Sequence, residues 1–187
     1  MDAALRSFGI NGDALELADG TGWWTERLAR TADRLTVLDA APEALALNRQ
    51  RVGREDVSFV VADLFDWRPE RAYDVVFFSF LAVSRAKAPL QFLLEPCAGL
   101  TATNRSSVLH RQSPRRRGLQ PSGWGDPYVV EYGSDLHRRR LGDGSEYLVV
   151  KVMYEPDELR ALIESEDWHA QIDSTRWLIF GSARPCL

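Results

Sequence analysis

Cysteine and histidine are scarce in this chain of 187 residues, which has two cysteines and three histidines. Cys97 and Cys186 are far apart, lack the close spacing of metal ligands, and could form at most one bridge in a chain large enough to fold without it. The sequence therefore argues against a disulfide-rich secreted scaffold and against a cysteine-rich metal module. We predict that both thiols are reduced and that the protein is cytoplasmic.

Long apolar runs are also missing. The longest stretches, residues 57–61 and 75–81, are far shorter than the roughly 20 residues that cross a bilayer, and no charged start followed by an apolar segment opens the chain. We therefore expect no membrane association and no secretory leader. With 45% hydrophobic and 27% charged residues, the composition fits one globular domain over residues 1–187.

An overall excess of positive charge is absent as well. The net charge is -4, which argues against a general nucleic-acid binder. Positive charge is instead concentrated in residues 81–122, which contain seven basic residues and one acidic residue, a local balance of +6. The rest of the chain therefore carries -10.

Short apolar runs alternate with helical patterns over the first eighty residues. We predict a helix over residues 23–30, with Trp24 and Leu28 on one face, and a second from Pro42 to about Arg51, with apolar positions at Leu45, Leu47 and Val52. The predicted strands are residues 13–18, 35–38, 57–61 and 73–80. Strands and helices alternating at this spacing predict an α/β fold with a doubly wound, mostly parallel sheet in a three-layer, Rossmann-like arrangement.

Ligands of such sheets bind at the carboxyl ends of the strands, and acidic residues gather there in this sequence. They are Glu16, Asp19, Asp39 and Asp63, beside the Gly20–Thr21–Gly22 turn. A dinucleotide site would need a third glycine and enough space for a pyrophosphate to approach the turn. In this sequence Trp23 and Trp24 follow the turn, and the carboxylates would repel the phosphates. The same carboxylates favour a ligand that carries an ammonium, a sulfonium and ribose hydroxyls, such as S-adenosylmethionine (SAM).

Four motifs in order resemble those of the class I SAM-dependent methyltransferases. Glu16-Leu-Ala-Asp-Gly-Thr-Gly22 resembles the first motif, and Thr36-Val-Leu-Asp39 the second, whose acidic residue takes the ribose hydroxyls. Ala62-Asp63-Leu64 resembles the third, which receives the adenine. The run from Tyr73 to Ser79 resembles the fourth, at a strand end that faces cofactor and acceptor. The resemblance covers residues 13–80 and resumes over about 124–185.

The resemblance implies an enzyme that transfers the methyl group of SAM to an oxygen or nitrogen of a small molecule. The residues that it implies for cofactor binding are Glu16, Asp19, Gly20, Gly22, Trp24, Asp39, Ala40, Asp63, Leu64 and Ser79. Structural roles remain open for several positions: the glycines could only shape a turn, Asp66 could replace Asp63, Asp74 could be structural, and both tryptophans could pack the helix on the sheet. The alternative functions are a non-catalytic SAM-binding domain and, third, an NAD-dependent oxidoreductase.

Residues 81–122 depart from the family pattern, which has a helix and an apolar fifth strand here. In residues 101–117 only Val108 and Leu109 are strongly apolar, and burying an unpaired arginine beside them would cost several kcal/mol. A nucleic-acid loop and a solvated insertion are two interpretations. We favour a third, in which this segment is translated in a shifted reading frame or has diverged so far that the fifth strand is compromised, and it could be disordered. Only about a dozen residues precede the first strand, so we also expect a short or missing N-terminal lid.

In the last third of the chain, the sequence predicts a strand at residues 128–131 and a hairpin over 135–153 around Gly142-Asp143-Gly144. It also predicts a helix at 156–166 and an antiparallel strand pair at 169–172 and 175–183. The resemblance implies an acceptor pocket built by residues after the fifth strand, and the residues that we therefore expect at the acceptor are Trp124, Tyr128, Tyr132 and His137. His137 has the side chain best suited to remove a proton from an acceptor hydroxyl, although it also fits a solvated hairpin. The sequence identifies no catalytic residue and no metal site.

Overall fold

A computed structural model describes residues 10–18, 20–64, 66–79, 136–140, 144–150, 154–175 and 179–186. The described helices are α1 (Thr25–Leu28), α2 (Pro42–Val52) and α3 (Pro156–Glu164). The described strands are β1 (Asp13–Leu17), β2 (Arg34–Asp39), β3 (Val57–Val61), β4 (Val75–Phe78), β5 (Leu136–Arg140), β6 (Glu146–Val150), β7 (Trp168–Ser174) and β8 (Ile179–Pro185). No helix in these ranges is long and apolar enough to span a membrane.

The first four strands form a parallel sheet in the order β3-β2-β1-β4. β1 lies between β2 and β4, with Leu17 opposite Leu38 on one side and Phe78 on the other. All four residues of β4 are buried, as expected for a strand covered on both faces. The predicted parallel sheet is therefore confirmed, with β1 and β2 at its centre.

Alternating side chains of the strands feed two separate cores, one on each face of the sheet. Leu15 and Leu17 pack on one face with Leu159 and Ile163 of α3 and with strands β7 and β8. Ala14, Val37 and Phe77 pack on the other face with Trp24, Leu28 and Leu45 of the first two helical segments. Helices on both faces of one sheet give the three layers that the sequence predicts.

Local signals explain where two of the helices begin and where one of them ends. α2 starts at Pro42, whose fixed φ suits a first helical turn, and ends at Gly53, which has a left-handed φ of +60°. α3 also starts at a proline, and its first turn is closed by a capping box in which the Glu155 N–H donates to Glu158 Oε2 at 3.0 Å.

The amino-terminal edge of the sheet is held by Asp74. The Asp13 N–H donates to Asp74 Oδ2 at 2.8 Å, and the Asp74 N–H donates to the Asp13 carbonyl at 2.8 Å. The Asp13 carboxylate also binds the Arg34 guanidinium. The structural interpretation of Asp74 is therefore confirmed, since these bonds join β1 to the start of β4 at the edge away from the strand carboxyl ends.

The predicted length of one helix is wrong, and the apolar residues of the other helix do not all lie on one face. The helix predicted over residues 23–30 is regular only over Thr25–Leu28, and turns precede and follow it. Leu47 does not share the apolar stripe of α2: its side chain is 54% exposed, whereas Leu45 and Asn48 are buried. A period of 3.6 residues places positions 45, 48 and 52 on one face and turns position 47 away from it.

The carboxyl-terminal elements follow the predicted pattern. β5 and β6 form an antiparallel hairpin with Arg140 opposite Glu146, and β7 and β8 form an antiparallel pair with Trp168 opposite Pro185. Leu159 and Ile163 are buried in the core beneath α3, while Leu162 is only partly buried. The predicted strand at residues 128–131 and all of residues 81–122 lie outside the described residues.

Candidate functional site

The carboxyl ends of the four parallel strands lie along one edge of the sheet. Leu17 is in register with Phe78, and Asp39 is in register with Val61, so the residues that follow each strand emerge at this edge. The β2 and β3 ends are joined directly, because the Ala62 N–H donates to the Asp39 carbonyl at 3.1 Å. The segments that contain the predicted cofactor residues therefore lie together along this edge. Asp19 lies outside the described residues.

The turn after β1 requires backbone conformations that side chains rarely adopt. Gly20 has φ +64° and Gly22 has φ +84°. A Cβ on Gly22 would lie 2.2 Å from Asn48 Oδ1, whereas a Cβ on Gly20 would meet nothing within 4 Å. One face of the turn is therefore pressed against α2, while the backbone at Gly20 remains accessible.

Asp39 at the end of β2 ties this turn to the start of α2. The Gly20 N–H donates to Asp39 Oδ2 at 3.1 Å, and the Ala41 N–H donates to Asp39 Oδ1 at 2.8 Å. The side chain is partly buried, and each carboxylate oxygen can accept a further hydrogen bond. Asp39 can thus hold the turn and bind hydroxyl groups of a ligand at the same time. Ala40, the next residue, is exposed.

Three other predicted residues are buried behind this edge. Glu16, Trp24 and Ser79 are 0%, 3% and 6% exposed. Glu16 lies opposite Val37 and Phe77 in the neighbouring strands, and the Trp24 ring packs against Phe77 with centroids 5.7 Å apart. Glu16 and Trp24 therefore belong to the inner wall behind the turn, and Ser79 follows β4 at the edge.

Trp23 differs from its neighbour. Its side chain is 56% exposed and lies beneath the Arg27 guanidinium, which is 4.4 Å from the ring centroid. The interpretation of Trp23 as helix-to-sheet packing is wrong, because more than half of its side chain is exposed and its ring contacts Arg27 instead of the sheet. The same interpretation is confirmed for Trp24.

A turn after β3 contains the third pair of predicted residues. Asp63 is exposed, and its carbonyl accepts hydrogen bonds from the N–H groups of Asp66 and Trp67 at 3.1 and 2.9 Å. Leu64 is partly buried and packs on the core beneath α3. Asp66 is also exposed, so the choice between Asp63 and Asp66 as a ligand-binding carboxylate stays open.

Two buried polar residues near the turn were missed by sequence reasoning. Asn48 of α2 and Thr25 of α1 are both fully buried, and Asn48 Nδ2 donates to Thr25 Oγ1 at 2.8 Å. The signal for Asn48 was present in the sequence, because it lies three residues after Leu45 on the inward face of α2. The signal for Thr25 was weaker, because α1 is a single short turn.

The predicted acceptor contacts cannot be placed. Trp124, Tyr128 and Tyr132 lie outside the described residues, and of His137 only the backbone, in β5, is described. Among the residues that the structure describes, no group of three or more histidines, cysteines or carboxylates could hold a metal ion.

Comparison with known proteins identifies the family. A sequence model described as "Methyltransferase domain" matches residues 14–101. The solved structure of a DhpI-SAM-HEP complex is 31% identical in sequence, with a TM-score of 0.81 over 98% of this chain and 83% of that one. The chain belongs to the class I SAM-dependent methyltransferases. The predicted family and fold are therefore confirmed, and SAM is the cofactor of this family.

Two further relatives agree with this assignment. The DhpI-SAH complex is 29% identical, with a TM-score of 0.78 over 98% of this chain and 81% of that one. Nodulation protein S of Rhizobium tropici is 37% identical over 65 residues, which are 34% of this chain and 27% of the relative. The chain thus matches only about a quarter of the length of that curated relative.

Proposed function

We propose that this methyltransferase-family chain binds SAM at the carboxyl edge of the parallel sheet and transfers the methyl group to an oxygen or nitrogen of a small molecule. The observation that carries the proposal is the Asp39 carboxylate, which binds the Gly20 N–H while the backbone at Gly20 stays open. When bound, SAM would supply a methyl carbon on a positively charged sulfur, to which an acceptor lone pair would bond as the carbon–sulfur bond breaks and S-adenosylhomocysteine (SAH) leaves.

The residues at the edge fit this cofactor. We propose that Asp39 accepts hydrogen bonds from the ribose hydroxyls, since both of its oxygens keep acceptor capacity beyond their bonds to Gly20 and Ala41. We propose that Ala40, Asp63 and Leu64 border the adenine, because the hydrogen bond from Ala62 to the Asp39 carbonyl brings the end of β3 beside the end of β2.

The turn and the inner wall would hold the amino-acid portion of the cofactor. Gly20 leaves space for the ligand to approach the backbone, and Gly22 allows the turn to close on α2. Glu16, Trp24 and Ser79 support this turn and the neighbouring strand end from within the protein. The proposed role of Asp19, between β1 and Gly20, rests on the motif alone.

The charge of the edge supports SAM over a nicotinamide dinucleotide. Asp39 ends β2 and Asp63 lies just after the neighbouring β3. Near a protein surface, a carboxylate repels another negative charge about 4 Å away by about 4 kcal/mol. A pyrophosphate would meet this repulsion, whereas the ammonium and sulfonium groups of SAM would be attracted. The DhpI-SAM-HEP complex, in a relative of 31% identity, adds independent support for SAM.

The acceptor is proposed to be a small molecule because the chain's net charge of -4 does not favour nucleic acid. An amine acceptor would need no dedicated base, and for a hydroxyl acceptor His137 remains the proposed base from the sequence. The cytoplasmic location stays a prediction from the composition and the two cysteines.

The test is a transfer assay. The purified chain is incubated with methyl-labelled SAM and pools of small amines and hydroxyl compounds, and SAH and labelled product are both quantified. We expect labelled product in at least one pool and SAH in equal amount. Binding of SAH in every condition without any transfer would overturn the enzymatic proposal and support the non-catalytic SAM-binding domain.

A further inference from the structure

A buried polar pair lies directly behind the proposed cofactor turn. Asn48 in the middle of α2 and Thr25 at the start of α1 are both 0% exposed, and their side chains are joined by the hydrogen bond from Nδ2 to Oγ1 at 2.8 Å. The surrounding layer is apolar and includes Trp24, Leu28 and Leu45. A polar pair in such a layer is held in one arrangement, because each lost bond would leave a buried polar group unsatisfied.

The pair contacts the turn through Gly22. A Cβ at Gly22 would lie 2.2 Å from Asn48 Oδ1 and 3.0 Å from Asn48 Cα, so the glycine backbone lies against Asn48. Thr25 is three residues further along the chain, and the N–H of Glu26, the residue after it, donates to the Gly22 carbonyl at 3.4 Å. The turn is therefore fixed on one side by Asn48 and continued by the segment that Thr25 anchors.

We infer that Asn48 and Thr25 are positioning residues for the cofactor: they hold the Gly20–Gly22 turn in the conformation in which the Gly20 N–H meets Asp39 and the open side of Gly20 faces the ligand. This inference rests on the proposed function. Asn48 itself has a helix propensity below that of alanine, so a purely helical role does not account for it.

The experiment compares isosteric and conservative variants by calorimetric titration with SAH. Thr25→Val removes the hydroxyl oxygen and keeps the shape of the side chain, whereas Thr25→Ser keeps the oxygen. Asn48→Ala removes the Nδ2 amide that donates to Thr25 Oγ1, and the variant Thr25→Val/Asn48→Ala completes a double-mutant cycle. Ile163→Val serves as a control, because it lowers stability in the core on the opposite face of the sheet. Thermal unfolding is measured for every variant.

We expect Thr25→Val and Asn48→Ala each to raise the Kd for SAH about tenfold. The Kd of the double variant should be no higher than that of the more affected single variant, because both substitutions break the same bond. Thr25→Ser should stay within about threefold of the unmodified chain, and Ile163→Val should lower Tm without changing the Kd. Should Asn48→Ala fail to fold, the comparison of Thr25→Val with Thr25→Ser decides alone.

Two results would overturn the inference. The first is a lower Tm for Thr25→Val and Asn48→Ala with an unchanged Kd for SAH, which would make the pair purely structural. The second is an equal rise in the Kd for SAH in Thr25→Ser and Thr25→Val, which would show that the hydroxyl oxygen does not cause the loss of binding. An unmodified chain that does not bind SAH would instead overturn the proposed function, and the inference with it.

Discussion

At the scale of single residues, the two glycines of the first turn have different environments. Both adopt a positive φ, but only at Gly22 would a Cβ collide with another element, because Asn48 of α2 leaves no room for it. Gly20 opens toward the edge that we assign to the cofactor. The same residue type therefore serves packing at one position and ligand access at the other.

Alanine at these two positions should separate stability from binding. Gly22→Ala adds overpacking of about 1–3 kcal/mol to the left-handed strain of about 1–2 kcal/mol, so we expect a large loss in the free energy of unfolding by urea. Gly20→Ala should incur only the strain and weaken SAH binding in calorimetry by blocking the backbone. Equal stability losses for both variants would contradict this assignment.

The two tryptophans give a second matched pair. Trp24 is buried against Phe77, so Trp24→Ala should cost about 3–5 kcal/mol of unfolding free energy. Trp23 is exposed and contacts Arg27, so Trp23→Ala should cost no more than about 1 kcal/mol, the value of an exposed cation–π contact. Chemical denaturation measures both, and a larger loss for Trp23→Ala would reverse the two roles.

The sequence predicted some site residues and missed others for definable reasons. Asp39 and the two glycines could be predicted from the sequence, because the strand ends of a parallel sheet meet at one edge whatever the packing above them. Asn48 was missed because apolar residues were counted along α2 without regard to its helical period. The contact of Asn48 with Gly22 joins residues 26 positions apart and depends on tertiary packing, which no local pattern contains.

At the scale of elements, helix ends were well predicted where a proline or a cap marks them. α3 starts at Pro156 and carries the reciprocal bonds between Glu155 and Glu158. α1 has no side-chain cap and is only four residues long, so its predicted length was wrong. Elements stabilised by tertiary contacts rather than by local signals have boundaries that a sequence pattern cannot set.

The capping box of α3 gives a test at this scale. Glu158→Ala removes the acceptor for the Glu155 N–H and should lower the free energy of unfolding by roughly 0.5–1.5 kcal/mol. Glu158→Gln is the matched control, because glutamine also completes a capping box, and we expect it to retain most of that stability. Urea denaturation checks both, and a loss of equal size in the glutamine variant would point to charge rather than capping.

At the scale of the whole molecule, one parallel sheet separates two cores, and buried polar side chains adjoin both of them. Glu16, Thr25 and Asn48 lie on the side of α1 and α2, whereas Thr36, which is opposite Leu15 in the neighbouring strand, lies on the side of α3. The α1 and α2 side is the one that supports the cofactor turn. The distribution of these polar groups was not predictable from composition, because both faces read as apolar runs.

The charge step at residues 81–122 also belongs to this scale. We propose that this segment is translated in a shifted reading frame, since seven basic residues and one acidic residue interrupt an otherwise acidic chain. Sequencing of the coding DNA should show two compensating frame changes near codons 81 and 122. An uninterrupted frame across both positions, confirmed in independent clones, would refute the proposal.

The account as a whole depends on SAM recognition at the edge formed by the Gly20 turn and Asp39. Titration calorimetry of the unmodified chain with SAH and with NADH, repeated on Asp39→Ala, tests this most directly, with Asp56→Ala as a control at an exposed carboxylate paired with Arg54. We expect SAH to bind and NADH not to bind. Asp39→Ala should weaken SAH binding roughly tenfold to a hundredfold, as for a lost hydrogen bond to a charged group, and Asp56→Ala should leave it unchanged. Preferential binding of NADH, or an SAH affinity unaffected by Asp39→Ala, would contradict the account.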